Sequence, residues 1–204
     1  MTDRFALLNQ PRRPWLEPDR LEKAFLEGAS TLHPDRFNDA PQADQRAAQE
    51  QYSALNEAHQ CLKRSRTRLR HLLELERGSR IPDLQEIPPD WMALFTEIGA
   101  LCQSADHLVR ERAATSSPIL QVALLERSEN LRERLQAMQT RLKERDSALE
   151  TSLRRLDERW SHRHEAAATG GSGLLRDLEE LYRLFSFNDR WMEQIQARQM
   201  QLMA

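Results

Sequence analysis

Apolar residues recur every three or four positions along most of this chain, the spacing of one face of an α-helix. Leu21, Phe25, Ala29 and Leu32 form the first such stripe. Glu17 stands at its start, with Pro18 suited to the first helical position and Asp19 to the first turn. Pro34 ends the stripe, because the residue before a proline is pushed out of the helical region. Ahead of it, residues 4–9 (RFALLN) predict one or two helical turns ended by Gln10-Pro11. Residues 33–42 read as a loop. A longer helix follows from about Ala43 to Leu62, with Ala48, Tyr52, Leu55 and Leu62 on its apolar face. Leu69, Leu72, Leu73 and Leu75 mark a shorter helix that ends near Gly78.

The segment 77–90 (RGSRIPDLQEIPPD) holds three prolines and a glycine and predicts a boundary between domains 1–76 and 91–204. Beyond it, Trp91, Leu94, Phe95, Ile98, Leu101, Ala105 and Leu108 trace another amphipathic helix. Residues 115–118 (TSSP) break it, and Ser117 before Pro118 suits a new helix start. From Pro118 to Ala168 there is no glycine and no further proline. Leu131, Leu135, Met138 and Leu142 follow coiled-coil spacing, as do Leu149, Leu153, Leu156 and Trp160, with Arg145 interrupting between the two sets. Unbroken, this helix would be roughly 75 Å long at 1.5 Å per residue. Residues 169–173 (TGGSG) read as a turn, and Leu174, Leu178, Leu181, Tyr182, Phe185, Trp191 and Ile195 line a last helix. Three helices joined by short turns imply an antiparallel bundle with a long middle helix. No run of alternating β-branched residues predicts a strand, so the expected fold is all-α.

Composition refines this picture. Hydrophobic residues make up 39% of the chain and charged residues 30%, as suits helices that expose half their surface. Thirty basic and 32 acidic residues are interspersed, for a net charge of −2, so no strong field for nucleic acid is expected. Cys61 and Cys102 lie on separate helices without CxxC spacing and read as reduced core thiols. His162 and His164 are two apart on a helix and do not share a face, so no metal site is expected. The first residues lack the apolar run of a signal peptide, and no stretch approaches the roughly 20 apolar residues of a membrane span. The chain is therefore expected to be cytoplasmic. With no glycine-rich phosphate loop and no nucleophile motif, neither enzymatic chemistry nor a cofactor is expected.

One link between helices carries distinctive chemistry: 31–39, TLHPDRFND. Pro34 fixes one backbone dihedral and removes a donor, which holds the loop at a set angle from the helix. Asp35 then presents a carboxylate outside any helical ladder, able to take a bidentate charge-assisted bond from an arginine. His33 is placed to hydrogen-bond across the loop. The bland alternative is a helix stop in which Asp35 caps the following turn.

A short helix, a helix ending in HPD, a polar loop, a longer helix and a short fourth helix together resemble the J-domain of DnaJ-type co-chaperones, over about residues 3–76. The N-terminal RFALLNQP, the HPDRF, the ALNEAHQCLKRSRTRLRHLLEL and the aromatic FSFNDRW at 185–191 resemble the HscB-type branch, whose members assist iron–sulfur cluster assembly. The resemblance implies a J-domain and a C-terminal client-binding bundle. It implies a DnaK-type chaperone as partner, stimulated to hydrolyse ATP through His33, Pro34 and Asp35, the aspartate engaging a chaperone arginine. Basic residues on the preceding helix steer such docking in the family. Here only Arg20 and Lys23 stand there, with Arg36 following the motif, and the last turns read Glu27-Gly28-Ala29-Ser30-Thr31. For the client, an iron–sulfur scaffold protein, the resemblance points to Trp91, Met92, Phe95 and Phe187; as bare sequence these are equally bundle core. A rival reading is a coiled-coil scaffold with a degenerate J-like domain, forming a homodimer through residues 120–160.

Overall fold

The computed structural model describes residues 2–37, 39–82, 86–163 and 171–203. Seven α-helices and two 3-10 turns are formed, and no strand occurs among the described residues. The contacts gather into two compact units, residues 1–83 with 150–183, and residues 84–149 with 184–204. A division at 77–90 follows chain order; the compact units do not, because the two longest helices contribute to both.

In the first unit, α1 (Arg4–Leu7) starts on Asp3, whose carboxylate accepts from the backbone N–H of Phe5 at 2.9 Å and of Ala6 at 3.3 Å. The helix was expected to stop at Gln10-Pro11. It stops earlier, at Leu7 with Leu8 as its C-cap, and Asn9 beyond the cap adopts the left-handed conformation (φ 49°) while Gln10 N–H bonds Phe5 O and Asn9 N–H bonds Ala6 O. That paired closure is a Schellman motif with asparagine in the usual glycine position. α2 (Pro18–Leu32), α3 (Gln42–Lys63) and α4 (Ser65–Arg77) follow, and Gly78 ends α4 at φ 67° as its position predicts. Phe5, Leu21, Leu55, Ala58, Leu62, Leu69, Leu72 and Leu73 form the core.

Two later helices return to this unit, α6 (Pro118–Ser161) from Glu150 onward and α7 (Gly171–Met203) as far as Arg183. Arg13 forms a two-pronged ion pair with the buried Asp157, Trp160 Nε1 donates to Arg12 O at 3.1 Å, and the Arg154 guanidinium lies 4.7 Å from the Trp15 ring. Beneath them Arg68 is almost wholly buried. It donates to Pro14 O at 2.7 Å, Leu62 O at 2.6 Å and Ser65 Oγ at 3.0 Å, and Ser65 Oγ in turn donates to Glu150. Burial pushes the Arg68 guanidinium pKa down, with the charges of Glu150 and Asp157 opposing. Each of the three guanidinium nitrogens thus has an acceptor, which offsets the cost of burying the charge.

The second unit opens with a 3-10 turn, Pro89–Trp91, and α5 (Met92–Ala114), joined by the remainder of α6 and α7. The polar ties set its topology. Glu111 pairs with Arg127 and Glu97 with Arg141, so α5 and α6 run antiparallel. Gln136 meets Gln199 and Leu142 O accepts from Asn188 Nδ2, so α6 and α7 do as well. Asp106 pairs with Arg198, and Leu202 O accepts from Arg112, so α7 runs parallel to α5. This is the expected antiparallel bundle, with a 44-residue middle helix. Every apolar seam residue from Leu131 to Trp160 is buried. Arg145, which interrupts that seam in sequence, lies 4.9 Å from the Trp91 ring as a cation–π partner. Of the expected turn at 169–173, the first two residues fall outside the described residues, as does His164, and Gly171–Gly173 already belong to α7.

Candidate functional site

The HPD turn is built by the end of α2 and the 3-10 turn Pro34–Phe37. His33 is the C-cap of α2, with ψ at 128°, the extended value that a following proline enforces. His33 O accepts from Arg36 N–H at 3.0 Å, closing the turn. His33 Nδ1 accepts from Asp35 N–H at 3.3 Å, and its ring stands edge-on to Tyr52 of α3, centroids 5.7 Å apart. The Arg36 guanidinium reaches back to Ser30 O at 3.1 Å, while Ser30 Oγ and Thr31 Oγ1 donate to carbonyls of the preceding turn. Backbone and side-chain bonds thus tie down each side of Asp35. Its carboxylate itself is 79% exposed, with Oδ2 3.5 Å from His33 Nδ1. The turn thus fixes the backbone of Asp35 and leaves its carboxylate to solvent, where it can accept a charge-assisted bond.

The basic residues expected beside it are on α2. Arg20 and Lys23 are exposed and three residues apart on one face. Lys23 Nζ lies 4.0 Å from Glu27 Oε1, a surface pair that offsets part of its charge. Arg36 bonds the helix end, so it serves the shape of the turn as well as its charge.

Three of the four apolar candidates of the second unit, Trp91, Phe95 and Phe187, converge on a residue that the sequence reading placed only on a bundle face, Trp191. Its ring lies 5.5 Å from Trp91, 5.7 Å from Phe187 and 6.3 Å from Phe95, centroid to centroid. The four are divided by burial. Trp91 and Phe187 are core at 7% and 3% exposure, whereas Met92 at 48% and Phe95 at 44% reach the surface. Only the latter pair presents apolar surface to solvent. The sequence signal that would have found Trp191 is the i, i+4 step from Phe187 on the same helix.

Among the described residues no group of three histidine, cysteine or carboxylate side chains is placed to hold a metal ion, and no helix is long and apolar enough to cross a membrane. Cys61 and Cys102 are unpaired, and burial pushes both thiol pKa values up, away from the reactive thiolate.

No protein-family model matches the chain. The solved structures it resembles define the class: the fold is that of HscB-type co-chaperones, all-helical throughout. In particular, it superposes on the human co-chaperone protein HscB with a TM-score of 0.61 at 16% identity, covering 98% of this chain and 81% of that one. It superposes on the chaperone HscB from Vibrio cholerae with a TM-score of 0.52 at 21% identity, covering 95% of this chain and 99% of that one. The fold anticipated from the HPD link and the helix order is the fold found.

Proposed function

We propose that this chain is a co-chaperone that docks on a DnaK-type chaperone and stimulates its ATP hydrolysis. The observation that carries this reading is the exposed Asp35 carboxylate, on a backbone fixed by His33 and by the turn around it, in a chain with the HscB fold. The chaperone's arginine takes that carboxylate in a charge-assisted pair, and Arg20, Lys23 and Arg36 add positive charge around the contact. The chain forms no covalent bond with its partner; it shifts the chaperone's own equilibrium. Single-turnover ATP hydrolysis by the chaperone, with and without the chain, tests this directly, and an unchanged rate overturns it.

For the second unit we infer a client surface around Met92 and Phe95, with an iron–sulfur scaffold protein as the client. Exposed large apolar side chains beside a rigid aromatic core support that assignment. The rival reading, a scaffold dimerised through residues 120–160, is disfavoured because the apolar seam residues from Leu131 to Trp160 are already buried within this chain.

A further inference from the structure

We propose that the cleft walled by α1, α3 and α4 in the first unit binds a multiply charged, phosphate-bearing anion through the guanidinium groups of Arg4, Arg64 and Arg80. The inference goes beyond the co-chaperone reading and stands independently of it.

The cleft has a volume of about 700 Å³, within the span of small-molecule sites. Four arginines line it, against a single carboxylate among its lining residues, Glu74. Glu74 is already engaged, 3.2 Å from Arg70. Among the described residues Arg4 Nη1 reaches only the Cys61 thiol, at 3.8 Å. Arg64 and Arg80 are exposed, and among the described residues neither guanidinium makes an ion pair or hydrogen bond. Guanidinium forks that outnumber the carboxylates around them repel one another and match the paired oxygens of a phosphate.

A second observation concerns His71, which lines the same cleft. Its Nε2 accepts from Arg4 N–H at 3.1 Å, so the hydrogen of the neutral ring sits on Nδ1. That Nδ1 is buried and has no partner, a donor without an acceptor. Burial, and then the positive charge of Arg4, holds the imidazole pKa below its usual value. The positive charge of the cleft is that of its arginines, and the His71 Nδ1–H lies buried behind its wall. No phenyl, phenol or indole ring lines it, so a base has nothing to stack on and the phosphate chain itself is the recognised element.

The test is isothermal titration of the whole chain at low salt with inorganic tripolyphosphate and, in parallel, with ATP. Saturable binding is expected, weakened at least about tenfold by Arg64→Glu and also reduced by Arg80→Ala, the latter in a loop where folding is not at stake. Arg134→Glu, an exposed residue of the other unit, makes the same charge change as Arg64→Glu and should leave the affinity within about twofold. Equal affinities for the two ligands would identify the free phosphate chain as sufficient; tighter ATP binding would identify a nucleotide as the source, and either supports the site. Absence of saturable binding, or an equal loss on Arg134→Glu, overturns it.

Discussion

Gly28 stands inside α2, where glycine costs about 1 kcal/mol relative to alanine. The packing explains its presence: a Cβ there would lie 2.9 Å from Leu55 Cδ2 and 3.3 Å from Cδ1, so the hydrogen side chain lets α2 and α3 close on each other. Gly28→Ala is therefore expected to lose about 1 kcal/mol in a denaturant titration despite its better helix propensity, because a buried leucine must move. A gain in stability would contradict this account. His71 supplies a second residue-scale prediction. Its pKa is lowered in the folded state, so the unfolded chain takes up the proton first. The stability linked to it is fully present above the ordinary histidine value near 6.5 and is lost as the pH falls through that value toward the folded pKa. Thermal melts at about pH 7.5 and 5.5 should show a smaller acid-induced drop for His71→Gln than for the parent chain. Equal drops would remove His71 as a cause. Neither effect was legible in the sequence. Gly28 reads there only as a cost, and nothing in the order of residues brings Arg4 to His71, 67 positions apart.

At the scale of elements, the HPD turn was legible because its chemistry is contiguous. A proline that stops a helix, a histidine before it and an aspartate after it fall in three consecutive positions. What holds the turn was less so. The edge-on contact of His33 with Tyr52 depends on α2 and α3 lying side by side. The aromatic cluster shows the same limit in another form. Helical spacing places Trp91, Phe95, Phe187 and Trp191 on bundle faces, but which of them turn inward depends on where the neighbouring helix runs. Met92 and Phe95 remain at the surface, and they define the client prediction. Phe95→Ala together with Met92→Ala should reduce capture of an iron–sulfur scaffold protein in a pull-down by about tenfold or more. The circular-dichroism melt should be left nearly unchanged, since exposed residues contribute little to the core. Undiminished capture would exclude this surface. Phe187→Ala is no substitute, because truncating a buried ring costs about 3–5 kcal/mol of stability by itself.

Across the whole molecule, the helix order and the all-α class followed from periodicity, proline positions and the scarcity of glycine. Two features did not. The discontinuous make-up of the compact units depends on α6 and α7 contributing at both ends, a consequence of helix length that a local pattern does not register. The burial of Arg68 depends on carbonyls from Pro14 and Leu62, 54 and 6 residues away, which turn a residue that reads as surface charge into an internal tie. The proposed docking centres on one carboxylate, that of Asp35, presented by one turn. It is tested most directly by single-turnover ATP hydrolysis on a DnaK-type chaperone, comparing the parent chain with Asp35→Asn. This isosteric change keeps the turn and removes the charge that an arginine would engage. The account predicts that the parent chain accelerates hydrolysis and that Asp35→Asn loses that acceleration by at least about tenfold, the scale of one charge-assisted pair. Equal stimulation by the two proteins would contradict it.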